Sequence, residues 1–121
     1  MNDTMSWENA RSFCKRICLN GDLALIKDQA AMDFIKSNVA LWTSTWIGAK
    51  SSWSSWSWTD GTYLSYKNWV YHEPDNYYSV NVAYMSSGSY QWYDGSTSDY
   101  CAALCQCEKR TTGIFPVNVK F

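Results

Sequence analysis

The sequence predicts an α+β domain: two helices flanking small antiparallel sheets, with disulfides as staples. Three observations predict it. Helical apolar spacing is confined to the first forty or so residues, and all that follows reads as short strands between long loops. The order, helices first and sheet after, argues against repeated βαβ units. Five cysteines in 121 residues are the density of a small domain folded in an oxidising compartment.

The elements follow in order. Ser6 is a helix N-cap, and Trp7, Ala10, Phe13, Cys14, Ile17 and Cys18 then share one face. Gly21 stops that helix. Leu23 to Ile26 is a short apolar strand. Asp28 caps a second helix with Ala31, Phe34 and Ile35 inward, ending near Asn38. Six of the eight tryptophans lie between Trp42 and Trp69. Trp46-Ile47-Gly48 reads as a buried strand with a glycine where no side chain fits. Trp56 and Trp58 alternate with serine, the period of a half-buried strand. Asp60-Gly61 turns the chain. An aromatic floor thus leads into the irregular run Tyr71 to Asn76. Val80 to Met85 is a strand, Ser86 to Ser89 a turn, Tyr90 to Tyr93 a strand and Ala102 to Glu108 the last strand.

Composition excludes several classes. A net charge of −1 gives no electrostatic case for nucleic acid or an anionic membrane surface. No run approaches the ~18 apolar residues of a membrane span. Met1 to Ser12 lacks a signal peptide's apolar core, so a secreted protein would be represented here by its mature part. A zinc site is disfavoured, because Cys14-x3-Cys18 and Cys105-x-Cys107 lack finger spacing and there is one histidine. That histidine, His72, lies in a loop and reads as solvated. No nucleophile–base pair or glycine-rich phosphate loop marks an enzyme.

Seven short motifs occur in one order: Trp7-Glu8-Asn9-Ala10 with Cys14; Gly21 to Ile26; Trp46-Ile47-Gly48-Ala49; Trp58 to Thr62 with Leu64-Ser65-Tyr66 and Asn68-Trp69; Glu73-Pro74-Asp75; Trp92-x-Asp94; and Cys107-Glu108-Lys109. In this order they resemble the C-type lectin-like domain. The resemblance implies that family's double-loop fold over residues 1–110, with a long loop from about Trp53 to Asn81 that carries the binding site. Residues 111–121 are then a C-terminal tail. Its alternation from Ile114 to Phe121 reads as an extra strand, in its own domain or exchanged with a neighbour, or else as a frayed end.

The resemblance also implies a bridge from helix one to the last strand, Cys14–Cys107. The family's second pair would need a cysteine near Val82, and none is there. Four helical residues advance ~6 Å and two strand residues ~6.6 Å. A parallel second staple, Cys18–Cys105, fits that spacing. Cys101 is left over, as an intermolecular bridge in a homodimer, a surface thiol or an alternative partner for Cys18. Without a tie near Val82, the long loop must be ordered by tryptophan packing or by an ion.

In sugar-binding members of the family one calcium ion is held by a Glu-Pro-Asn loop, a later acid and an Asn-Asp pair, and a sugar's vicinal hydroxyls join the ion. Calcium takes six to eight hard oxygens, and a proline between two ligands fixes the loop, usually through a cis bond. Glu73, Pro74 and Asp94 match. Asp75 stands where mannose-type sites have asparagine and galactose-type sites have Gln-Pro-Asp, so the motif is a hybrid. Tyr93 replaces the asparagine of the Asn-Asp pair, and Val80 and Asn81 stand where an acid is expected. The implied metal set is Glu73, Asp75, Asn76, Asn81 and Asp94. The implied sugar set is Glu73, Asp75, Asp94 and the rim tyrosines Tyr77, Tyr78 and Tyr93. The expected function is that of a secreted, extracellular lectin with a glycan or glycoprotein ligand and Ca2+ as cofactor. The competing expectation is a calcium-independent binder of a protein or other surface.

Overall fold

The computed structural model describes residues 3–108 and 119–120. Helix α1 spans Trp7–Ile17, and the Ser6 side chain accepts from the Asn9 N–H at its start. Trp7, Ala10 and Cys14 are its buried stripe, with Phe13 half-buried and Ile17 outside. Strand β1 is Asp22–Leu23 only. Beyond it the Gln106 side-chain oxygen accepts the Leu25 N–H, a side chain standing in for a strand neighbour. Helix α2 spans Gln29–Asn38, and Asp28 caps it through the Ala31 N–H. Its inward face is Met32 and Ile35. Phe34, expected inside, is 50% exposed, one residue and about 100° around the helix from Ile35.

Five further strands follow: β2 Thr45–Ser52, β3 Ser55–Trp58, β4 Val80–Met85, β5 Trp92–Gly95 and β6 Ala102–Gln106. A seventh, β7 Val119–Lys120, pairs antiparallel with β6. The remaining tail, 109–118 and 121, lies outside the described residues. The sheet order is β1-β6-β2-β4-β5, with β3 on β2 and β7 on β6. It is mixed rather than wholly antiparallel, because β6 returns beside β2 in parallel, Thr45 opposite Ala102 and Trp46 opposite Ala103.

Alternation along the strands makes two cores. Trp46, Val82, Ala103 and Cys105 pack with Trp7, Ala10 and Cys14 of α1. Ile47, Ala83, Met85 and Leu104 pack with Met32 and Ile35 of α2. Two buried indoles are tied to backbone across elements, Trp7 donating to the Ile47 carbonyl at 2.9 Å and Trp46 to the Met5 carbonyl at 2.7 Å, while the buried N–H groups of Trp58 and Trp92 have no partner among the described residues. At Gly48 an added Cβ would lie 2.8 Å from a Leu25 methyl and 3.0 Å from the Leu23 carbonyl, so β2 can pass β1 only without a side chain there.

The disulfides are Cys14–Cys105 and Cys18–Cys107, the reverse of the predicted Cys14–Cys107 and Cys18–Cys105. The spacing argument holds, but the direction it assumed does not. Met5 and Cys101 exchange backbone hydrogen bonds at 2.9 and 3.0 Å, which sets the start of α1 beside the start of β6. Helix and strand therefore advance together, and the earlier cysteine of one meets the earlier cysteine of the other. Cys101 is 5% exposed and unpaired, so it is neither a surface thiol nor placed for an intermolecular bridge.

Candidate functional site

The long loop is ordered by aromatic packing. Trp92 lies edge-to-face against Trp58, Tyr66 and Trp69, and Trp69 against Trp56 at 4.9 Å between centroids. The backbone joins in: Trp92 donates to the Asn68 carbonyl and Val70 to that of Trp92. This fixes the entry to the loop beside β5, the strand that carries Asp94. At the loop's exit, buried Asn81 bonds the Ser51 hydroxyl and the Tyr78 backbone. Those contacts do the work that a disulfide near Val82 would do.

Between these anchors the chain turns through His72 and Asn76, both at positive φ, and a cis Glu73-Pro74 bond. The turn aims the Glu73 and Asp75 carboxylates at Asp94. One oxygen from each of the three lies within 4.8 Å of the others. The cluster is knitted to backbone. Asp94 accepts the Asp75 N–H at 3.3 Å and the Asn76 N–H at 2.7 Å, and its own N–H donates to Glu73 at 3.2 Å. Burial, then the Asp94 side chain and the negative charges of Asp94 and Asp75, push the Glu73 carboxyl up to about 7.

These oxygens fit a calcium ion. Two ligands at ~2.4 Å from one ion are at most ~4.8 Å apart, and the three carboxylates meet that limit. They supply only part of the six to eight oxygens calcium takes. The Asn76 side-chain oxygen is turned instead to the Trp56 indole N–H, which it accepts at 2.8 Å. Asn81 is fully buried, with its oxygen on the Tyr78 N–H. The residues brought together are thus Glu73, Asp75 and Asp94, while Asn76 and Asn81 hold the loop that presents them. Of the rim tyrosines, Tyr77 is 80% exposed and meets Tyr78 edge-to-face at 4.9 Å. Tyr93 stacks on Tyr84, its face committed to the sheet.

One feature of the surface has no local sequence signal. A groove of about 470 Å³ opens beside the acid cluster, lined by Trp56, Tyr63, Lys67, Trp69, Pro74 and Asn76 among others. Its walls all come from residues 54–76, β3 and the irregular chain that follows it.

The fold and the acid-bearing loop define a domain of the C-type lectin type. The family model described as Lectin C-type domain matches residues 3–107, and the chain belongs to that family, which is in general non-enzymatic. It is 30% identical over 119 residues to C-type Lectin CRL of Crotalus ruber ruber, covering 88% of this chain and 86% of that protein. It is 31% identical over 110 residues to asialoglycoprotein receptor 2 of Homo sapiens, covering 87% of this chain and 34% of the receptor. Among solved structures, the human scavenger receptor C-type lectin carbohydrate-recognition domain superposes with a TM-score of 0.76 at 28% identity, covering 85% and 83% of the two chains. A calcium-independent type II antifreeze protein superposes with a TM-score of 0.72 at 27% identity, covering 84% and 78%.

Proposed function

We propose that this protein is an extracellular lectin that recognises terminal monosaccharides with the assistance of calcium. The observation that carries the reading is the convergence of the Glu73, Asp75 and Asp94 oxygens within the span of one ion's coordination sphere. A bound ion would offset the repulsion among the three carboxylates. The three carboxylates fill only part of the six to eight positions calcium takes, and positions open to outside oxygens would suit a sugar's vicinal hydroxyls. Tyr77 and Tyr78 supply an exposed aromatic edge beside them. The extracellular setting rests on the two disulfides, and among the described residues no helix is long and apolar enough to cross a membrane.

Calorimetry with calcium tests the reading, followed by retention on mannose and galactose resins and elution with EDTA. Heat at sub-millimolar to millimolar calcium and EDTA-dependent retention are expected. No heat at millimolar calcium would end it.

A second reading has its own support. Asp94 accepts two backbone N–H groups, so the loop is held in shape by the chain itself. A calcium-independent binder of a protein or other surface could use the same scaffold. Binding unaffected by EDTA would favour it.

A further inference from the structure

The sheet has a second recess, on the face turned away from the long loop. Along β3, Trp56 points to the loop and bonds Asn76, while Ser55 and Ser57 alternate to the other side. The register carries that side across the sheet. Lys50 stands opposite Ser57 and Ser52 opposite Ser55, while on β4 Val82 and Val80 stand opposite the same Lys50 and Ser52. Val82 packs with Trp7 of α1, and the Lys50 amine lies 5.2 Å from the centre of the Trp7 ring. Helix α1 thus forms one bank of a trough and the sheet its floor. The volume, about 530 Å³, is within the usual range of small-molecule sites.

The chemistry of the trough is one-sided. Two cations line it, Arg11 from α1 and Lys50 from β2, and no carboxylate does. Their acid partners, Asp22 and Glu8, lie outside the lining and hold them in place at 3.1 and 3.0 Å. Neither cation is fully committed. Asp22 takes the Nε and Nη2 side of the Arg11 fork, so Nη1 has no partner among the described residues, and Glu8 takes one of the three N–H bonds of Lys50. The floor adds donors. Ser52, Ser55, Ser57 and Thr59 line the trough, and their hydroxyls have no hydrogen-bond partner among the described residues. A cationic ligand would meet like charge here. A tetrahedral oxyanion, rich in acceptors on every side, can take charge-assisted bonds from both banks and further bonds from the floor. A bare oxyanion would fill a small part of the volume, and the rest leaves room for the group that carries it.

We propose that this trough is a binding site for an oxyanion ester, whose sulfate or phosphate group sits between Arg11 and Lys50 over the hydroxyls of Ser52, Ser55 and Ser57. None of Glu73, Asp75 and Asp94 lines it, so the site needs no calcium and is independent of the sugar-binding reading above. It holds one anionic group, not the run of phosphates that a net charge of −1 argues against.

The test uses the full chain in EDTA at neutral pH. Backbone amide shifts are followed by heteronuclear NMR while sodium sulfate, sodium phosphate and the sulfate and phosphate monoesters of glucose at its primary hydroxyl are added in turn. Sodium chloride at equal ionic strength is the blank. Amides of Lys50, Ser52, Ser55 and Ser57 are expected to shift saturably, with a Kd of about 1–10 mM for the preferred ester. Saturation by the sulfates alone makes the ligand a sulfate ester, by the phosphates alone a phosphate ester, and either result supports the site. Lys50→Gln and Arg11→Gln should each weaken binding about fivefold or more. Ser57→Ala, which keeps both ion pairs, should weaken it less, and Lys67→Gln, at an exposed lysine outside the trough, should leave it unchanged. Shifts that stay linear and match chloride mean an adventitious ion only and overturn the proposal. Shifts that map away from these residues, or an equal loss in Lys50→Gln and Lys67→Gln, overturn it as well.

Discussion

The indole N–H of Trp56 donates to the side-chain oxygen of Asn76 at 2.8 Å. Through that bond the aromatic floor holds the loop that carries Glu73 and Asp75, and Asn76 in turn donates its N–H to Asp94. Trp56→Phe keeps most of the ring packing and deletes the donor. The expected cost is about 1 kcal/mol, a fall in Tm of roughly 3–5 °C, with calcium affinity reduced several-fold. A melting curve and calcium calorimetry on the variant check both. Unchanged calcium affinity would mean that the carboxylates are positioned without this tie.

One staple joins α1 to β6 and the other joins the residues just past their ends, so their removal is not equivalent to loosening one loop. Replacing Cys14 and Cys105 by serine takes out a bridge buried against Trp7 and Leu23. A loss of about 2–5 kcal/mol is expected, measured by denaturant unfolding. Cys105 and Cys107 fall on one tryptic peptide, so the linkage itself is read by fragmenting that cross-linked peptide at Gln106. Cys14 should remain with Cys105 and Cys18 with Cys107.

Much of this fold was legible in sequence because its signals are local. Ser6 and Asp28 cap the helices they were read to cap, and Gly48 sits where a Cβ meets the Leu23 carbonyl. The disulfide direction was not legible. It depends on Met5 meeting Cys101, a contact between residues about a chain length apart that no spacing rule encodes. The same limit applies at the site. The carboxylates of Glu73, Asp75 and Asp94 could be named from motifs, but the commitment of the Asn81 oxygen to Tyr78 depends on how the loop closes on β4. The groove was hidden for a different reason: its lining residues lie within 54–76, mostly irregular chain where no period says which side chains share a wall.

Cys101 offers a test of that packing. Burial, with the charge of Asp99 adding to it, pushes its thiol up to about 12. At pH 8 it is protonated as well as enclosed, and the thiolate is the reactive form. The native protein should therefore leave a thiol reagent such as Ellman's unreacted over minutes and release one equivalent in guanidinium. Rapid native reaction, or a covalent dimer on a non-reducing gel, would contradict the placement.

The ion pair between Lys27 and Asp60 predicts a small acid-sensitive contribution to stability. Hydrogen bonds from Lys27 and Thr62 hold the Asp60 carboxyl down, at about 2 against an ordinary 3.8. The folded value is the lower one, so the contribution is present above about pH 4 and is lost as pH falls from there toward 2. Both groups are substantially exposed, which limits the pair to roughly 0.2–1 kcal/mol and makes it weaker in salt. Asp60→Asn should lower stability by that amount at pH 6 and by nothing measurable at pH 2, compared by urea midpoints. Equal losses at both pH values would assign the effect to the Asp60–Thr62 turn instead.

Asp94 separates the calcium reading from its competitor. Its two oxygens accept the N–H groups of Asp75 and Asn76 while one of its oxygens also belongs to the converging set. Asp94→Asn retains one acceptor and removes a charge. The fold should survive with a loss of about 1–2 kcal/mol, because the tryptophan contacts that order the loop are untouched. Calcium affinity should fall by at least tenfold, since a hard cation loses one of three carboxylates, and retention on a sugar resin should fall with it. A variant that folds, loses calcium and still binds its ligand would show that recognition runs through the aromatic and tyrosine surface rather than through the ion.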